Sequence, residues 1–317
     1  MLEERNIAYA EKVLKEIAVP VTLDFVSADH TANRNFERFV EEASSLSKKI
    51  RFNTIKQNDA KLPAIIVGGK VYYHAIPDNT EFAPFVDAIS LACRHAPSYS
   101  ETRTDLKIVV MPGCIYCPNA VRNAVRFAFS NSGVKVSIID GNMFAEAIEK
   151  LDIKSAPTTI INDKVFVTGV IPDEELSGWV VKTADRRFSR DDIIKMINSQ
   201  GADKLADMMI ADARIYDDLL FLLWDDKWSL RLGAMVVLEY VYEKEPLLIN
   251  SVIQRIEESL LDSDLTKRGD TAFLIGNIGG LDSIPALVSA MAVKTEDAFV
   301  ECVEEAVSAI RARQKIT

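Results

Sequence analysis

Cysteine and histidine are scarce, at four and three residues in a chain of 317. So few thiols exclude a secreted disulfide scaffold, whose small core relies on several bridges. Long apolar runs are missing as well. The longest, Leu219 to Trp224, has six residues, against the ~20 that a membrane helix needs. Positive charge is in deficit: 37 Lys and Arg face 47 Asp and Glu, a formal charge of −10. That balance argues against nucleic acid as a partner. The first residues, Met1-Leu2-Glu3-Glu4-Arg5-Asn6, are acidic and no apolar stretch follows them, so they read as no signal peptide. These absences predict a soluble cytoplasmic protein. What is present, 48% apolar and 26% charged residues, is a globular composition, and the length predicts two or three domains.

Two of the cysteines, Cys93 and Cys302, stand alone in helix-like sequence and read as core thiols. The other two form Cys114-Ile115-Tyr116-Cys117. Such a pair is a redox dithiol, half of a zinc site, or two core thiols that happen to lie three apart. Structural zinc takes four ligands, and only Cys93 and His95 could complete the set. A redox pair needs a strand before it and a helix after it. Leu106 to Met111 (LKIVVM) is a β-rich run closed by Pro112-Gly113. Beyond the pair, Val121, Ala124, Val125, Ala128 and Phe129 recur at three and four residues, one face of a helix. Pro118 falls in the first turn, where a missing N–H does least harm. Cys114 is therefore expected at a helix N-terminus, where unpaired N–H groups and the positive dipole end stabilise a thiolate. Cys117, one turn in, is expected to be more buried and to resolve a mixed disulfide.

Further on, Val134 to Ile139 reads as a strand and Met143 to Leu151 as a helix. Then Ser155-Ala156-Pro157-Thr158-Thr159-Ile160-Ile161, the turn Asn162-Asp163 and Lys164-Val165-Phe166-Val167 form a hairpin. A helix near Pro172 to Thr183 closes the order β, α, β, α, β, β, α. The same hairpin occurs earlier, as Leu62-Pro63-Ala64-Ile65-Ile66-Val67, Gly68-Gly69 and Lys70-Val71-Tyr72-Tyr73. Ile76-Pro77-Asp78 follows the first copy as Ile171-Pro172-Asp173 follows the second. Upstream, Val21 to Val26 matches the strand before the dithiol and Asn33 to Glu42 the helix after it, with Ile50 to Ile55 as the next strand. Asp29 and Ala32 then stand where the second copy has Cys114 and Cys117. The first copy has no thiols and no helix pattern between its second strand and Pro63.

This order, with a proline opening the hairpin, resembles the thioredoxin fold. The resemblance implies that Pro157 is cis and lies beside the dithiol. Two fused copies, the first without cysteines and the second with Cys114-Ile115-Tyr116-Cys117-Pro118, resemble the N-terminal module of the bacterial alkyl hydroperoxide reductase flavoprotein. The motif through Val121 is also similar to the glutaredoxin-like protein disulfide oxidoreductases. The resemblance covers about residues 10 to 185. It implies that Cys114 attacks, Cys117 resolves and Pro157 shapes the substrate groove. No G-x-G-x-x-G fingerprint is present, so electrons would come from a separate reductase, and no acid stands in the strand just before Cys114 to take the proton of Cys117.

From Ser189 onward the chain reads as helical. Ser189-Arg190-Asp191-Asp192 is a helix start. Asp225-Asp226 with Arg231, then Asp262-Ser263 with Arg268, each precede an apolar helix, and a weaker third copy runs from Glu296 to Ile310. Acidic turns followed six residues later by arginine resemble HEAT-type repeats, which stack into a small solenoid; an all-helical packing domain is the other reading. Gly276 to Gly280 is a helix end, with no Lys-Ser/Thr to make a phosphate loop. His30, His74 and His95 show no metal or triad spacing, and His30 reads as an exposed loop residue. Trp224 and Trp228 read as repeat core, although an exposed Trp228 would instead mark a partner surface, and the runs Asp225-Asp226 and Glu301 to Glu305 read as solvated faces.

The expected architecture is thus two tandem α/β thioredoxin-like folds, 1–100 without C-x-x-C and 101–187 redox-active, followed by an all-α HEAT-like domain, 188–317. The expected function is thiol–disulfide exchange with protein disulfides in cell redox homeostasis, through Cys114 and Cys117, with no cofactor and no metal. Ile115, Tyr116, Ala156, Pro157 and Thr158 would contact the client, and the helical repeats would dock a protein partner. The competing expectation is a redox-sensing adaptor whose repeats bind a partner without turnover.

Overall fold

The computed structural model describes residues 3–57, 60–94, 104–149 and 151–314. The chain divides into two compact units, Met1–Asp185 and Arg186–Thr317. The first contains, in order, α1 (Glu4–Lys15), β1 (Val21–Ser27), α2 (Asn33–Leu46), β2 (Ile50–Lys56), β3 (Ala64–Val67), β4 (Val71–His74), a 3₁₀ turn (Asn79–Glu81) and α3 (Phe82–Arg94). It continues with β5 (Thr104–Val110), α4 (Cys117–Ser130), β6 (Val134–Asp140), α5 (Ala145–Glu149), β7 (Thr158–Ile161), β8 (Val165–Thr168) and α6 (Asp173–Asp185).

The eight strands among the described residues form one sheet, in the order β2-β1-β3-β4-β6-β5-β7-β8. In each half the first strand pairs parallel with the second and antiparallel with the third, and a hairpin adds the fourth. A parallel pairing of β4 with β6, Tyr72 opposite Ser137, joins the halves. The expected boundary at 100 falls in a segment outside the described residues.

Local chemistry accounts for both hairpins. Gly68 and Gly69 have φ of 60° and 71°, and Asn162 and Asp163 have φ of 52° and 57°. That left-handed pair is what a tight hairpin turn requires, and Gly, Asn and Asp supply it at least steric cost. The apolar stripe read on α4 is buried throughout, as are Leu106 and Ile108 on β5. Phe82, Phe85 and Ile89 of α3 fill the equivalent core beneath the first half.

Three local expectations change. The helix expected over 143–151 is only Ala145–Glu149, because the Asp140 carboxylate accepts from the N–H groups of Asn142 and Met143 and holds them in a turn. An unanticipated α1 packs on α3 through Asn6, Ala10 and Leu14, four residues apart. Cys93, expected in the core, is exposed on the last turn of α3 and bonds back to the Ile89 carbonyl. His95, its expected companion, lies outside the described residues. Between β2 and Pro63 the described residues form no helix, and β2 is mostly exposed beyond Ile50 and Phe52.

The second unit holds α7 (Arg190–Gln200), α8 (Ala202–Ala211), α9 (Asp217–Leu222), α10 (Trp228–Lys244), α11 (Pro246–Ile249), α12 (Ile253–Glu257), α13 (Leu265–Ile278), α14 (Ile284–Val293) and α15 (Asp297–Gln314). Ser189 and Asp192 form a reciprocal capping box at the start of α7. Arg231, buried at the start of α10, donates to the carbonyls of Asp225 and Asp226. Arg268, buried at the start of α13, does the same to Asp262 and Ser263. Each arginine also reaches the next segment, Arg231 to Asp270 and Arg268 to Glu296. In α15 no arginine follows the acidic turn within six residues.

Two side chains depart from their expected places in this unit. Trp228 opens α10 and is 59% exposed rather than core. Asp225, read as solvated, turns its side chain inward to an ion pair with Arg190 and leaves only 8% of it exposed.

Candidate active site

Strand β5 ends at Val110 and the chain turns through Gly113, whose φ of 78° suits glycine. It then enters α4 at Cys117, with Pro118 in the first turn. Cys114 and Cys117 are joined by a disulfide, their Cα atoms 5.5 Å apart. The Cys117 N–H donates to Cys114 Sγ at 3.1 Å. This is one of the unpaired donors of a helix start, aimed at sulfur. It favours negative charge on Cys114 whenever the bridge opens. Cys114 is half-buried while Cys117 is fully buried, so Cys114 is the more accessible of the two sulfurs.

The residues singled out in the sequence converge here to different degrees. Cys114 Sγ lies 3.7 Å from the Ala156 carbonyl oxygen, and the Ala156–Pro157 peptide is cis. Ile115 and Tyr116 project outward at 74% and 61% exposure. Thr158 is different: its side chain is buried, donates to the Ser155 carbonyl and meets the Thr168 hydroxyl. Its side chain is therefore a structural tie and not part of the exposed surface. Met111, whose carbonyl accepts from the Cys114 N–H, is also exposed.

At the corresponding mouth of the first half, the loop after β1 is closed by side chains. His30 Nδ1 accepts from the Ala32 N–H, and the Asn33 side-chain Oδ1 accepts from the Ala28 N–H. His30 is half-buried, its ring 5.1 Å from that of Phe144, and is not the freely exposed residue its loop suggested. The His30 imidazole thus takes the N–H of Ala32 at the start of α2, as the Cys114 sulfur takes the N–H of Cys117 at the start of α4, while the Asn33 amide holds the end of β1.

Strand β5 begins earlier than its sequence suggested and includes Asp105, at the far end from Cys114. The acid of note lies elsewhere. Glu81 sits in the 3₁₀ turn packed against α4, both carboxylate oxygens buried and without a hydrogen-bond partner. Burial raises its pKa to about 7, against the pull of Arg122 on α4 and with a further push from Asp78. Tyr73 Oη, also buried and unpartnered, has its ionisation pushed well up by burial and by Glu81. One sequence signal marks this residue. In the register set by Ile76-Pro77-Asp78 and Ile171-Pro172-Asp173, Glu81 aligns with Leu176, which is buried.

The profile of the thioredoxin domain family matches residues 104–181. These residues form a thioredoxin-fold domain. Among curated proteins, the chain is 24% identical over 220 residues to an alkyl hydroperoxide reductase polypeptide of Xanthomonas campestris pv. phaseoli, covering 64% of this chain and 40% of that protein. It is 22% identical over 191 residues to an NADH dehydrogenase of Ferdinandcohnia aciditolerans, covering 56% and 36%. The chain therefore spans well under half the length of these relatives.

Among solved structures, a protein disulfide oxidoreductase from Aeropyrum pernix superposes with a TM-score of 0.51 at 18% identity, over 60% of this chain and 96% of that one. The N-terminal domain of the alkyl hydroperoxide reductase of Enterococcus faecalis gives 0.51 at 19% identity, over 57% and 100%. At these identities the solved structures bear on the fold alone, and they agree with the family profile that it is thioredoxin-like.

Proposed function

We propose that the protein is a thiol–disulfide oxidoreductase working through Cys114 and Cys117, built on two tandem thioredoxin-like folds of which only the second carries thiols. The observation that carries this reading is the Cys117 N–H on Cys114 Sγ at the mouth of α4, beside Ala156–Pro157. With the dithiol reduced, the Cys114 thiolate attacks one sulfur of a client disulfide and the other client sulfur leaves as a thiolate. Cys117 then attacks Cys114, releasing the client dithiol and restoring the bridge. Two electrons pass to the client per cycle and must be returned by a separate donor protein. The client backbone lies along Ala156, Pro157 and Thr158 like an added strand, with Ile115 and Tyr116 against its apolar side chains. The helical unit, read as HEAT-like repeats, docks a protein partner, and the cytoplasm is the compartment that suits exposed free Cys93.

The test is a redox titration of the purified chain. A single two-electron transition between about −150 and −330 mV, the span of redox dithiols and structural bridges, supports the reading. A bridge that does not open across that range ends it. A Cys117→Ser variant should retain clients as mixed disulfides through Cys114. Reductase turnover of a generic disulfide separates this reading from an adaptor that only senses redox state.

A further inference from the structure

Helix α15 carries a stripe with an unusual symmetry. Val303, Glu304, Val307, Ser308, Arg311 and Ala312 line one side of a groove of about 480 Å³, with Val288 and Met291 of α14 on the other. Val303 forms the buried floor and Val288 stands 46% exposed on the rim. Glu304 and Arg311 are the charged members of this lining. Both are exposed and neither forms an ion pair with a described residue. Seven residues separate them, so they share one helix face about 10 Å apart, too far to pair with each other.

Reversed about the point between Val307 and Ser308, this stripe complements itself. In an antiparallel pair of α15 helices, Glu304 falls opposite Arg311 of a second copy and Arg311 opposite its Glu304. Val307 then meets Ser308 on both sides of the axis. A two-fold interface requires this property: if residue i meets j, then j meets i. The small side chains Ser308 and Ala312 allow close approach of the helices, and the apolar rim from Val288 and Met291 excludes water from the two ion pairs. A parallel arrangement would set Glu304 against Glu304 and is disfavoured.

We infer that the α14–α15 face is the interface of a symmetric homodimer, with α15 paired antiparallel to its copy. Sedimentation equilibrium of the full chain up to about 100 µM tests this. A dimer is expected. Glu304→Arg sets two arginine pairs against each other and should weaken it by about tenfold or more, since each change acts twice. The double variant Glu304→Arg/Arg311→Glu restores both pairs with reversed sign and should recover the wild-type affinity. Circular dichroism checks that each variant keeps its helices. A wild-type monomer at the highest concentration overturns the inference. So does a dimer indifferent to Glu304→Arg, or a double variant as weak as the single one.

Discussion

At the residue scale, two side chains with the same chemistry in different surroundings define the site. Cys114 is the more accessible sulfur and the one that takes the Cys117 N–H, and under the proposed function it attacks while Cys117 resolves. Cys114→Ser is therefore expected to abolish turnover. Cys117→Ser should allow one round of attack and then stall with client bound, visible as a covalent adduct on a non-reducing gel. Glu81 supplies a second prediction. Its native pKa of about 7 lies above its ordinary value of 4.5, so the native state disfavours its charge. Stability from this group is full below about pH 4.5 and falls as pH rises to about 7. The difference is on the order of 3 kcal/mol. Glu81→Gln removes the titration. Chemical denaturation should show the variant gaining on the wild type by up to about 3 kcal/mol between pH 4.5 and pH 8. A constant gap across that range would show that Glu81 is ionised in the native protein.

At the element scale, the thiol-free half grips the helix that bears the dithiol. Lys70, buried behind the Gly68-Gly69 turn, donates to the carbonyls of Ala128 and Asn131 at the C-terminal end of α4. Gly68 lies against the ring of Phe129, where an added Cβ would come within 2.8 Å of it. Lys164 occupies the same place in the second hairpin and is exposed. Lys70→Met should cost about 2 to 3 kcal/mol, because two buried carbonyls lose a charged donor, while Lys164→Met should cost less than about 0.5 kcal/mol. Urea denaturation of the two variants beside the wild type gives both values.

The sequence showed that the two lysines stand in one register. It did not show that one is buried, since that depends on β4 pairing with β6, a contact between segments far apart in the chain. The dithiol, the helix after it and the hairpin proline were legible because each is a local pattern. Glu81 was not: nothing within its own turn marks it as buried, and only the other copy's Leu176 hints at it. Trp228 misled for a related reason. Its four-residue spacing from Trp224 suits a helix face, but the loop holding Asp225 and Asp226 on Arg231 separates the two indoles.

At the scale of the whole molecule, charge is unevenly divided. Residues 186–317 carry 16 Lys and Arg against 23 Asp and Glu, and residues 1–185 carry 21 against 24, so −7 of the −10 lies in the helical unit. The two residues between the cysteines, Ile115 and Tyr116, carry no charge, so the motif itself adds no net charge for a client to feel. Under the proposed function, that negative charge would steer basic clients by long-range attraction, which salt screens over ~8 Å at 0.15 M. Encounter with a basic protein disulfide should therefore slow severalfold between about 0.02 and 0.5 M salt. Reduction of a small neutral disulfide, which feels no such field, should hold its rate over the same range. Stopped-flow measurement of both substrates gives the comparison. Equal salt dependence would place the effect at the dithiol, and none with either substrate would remove the helical unit's charge from client selection.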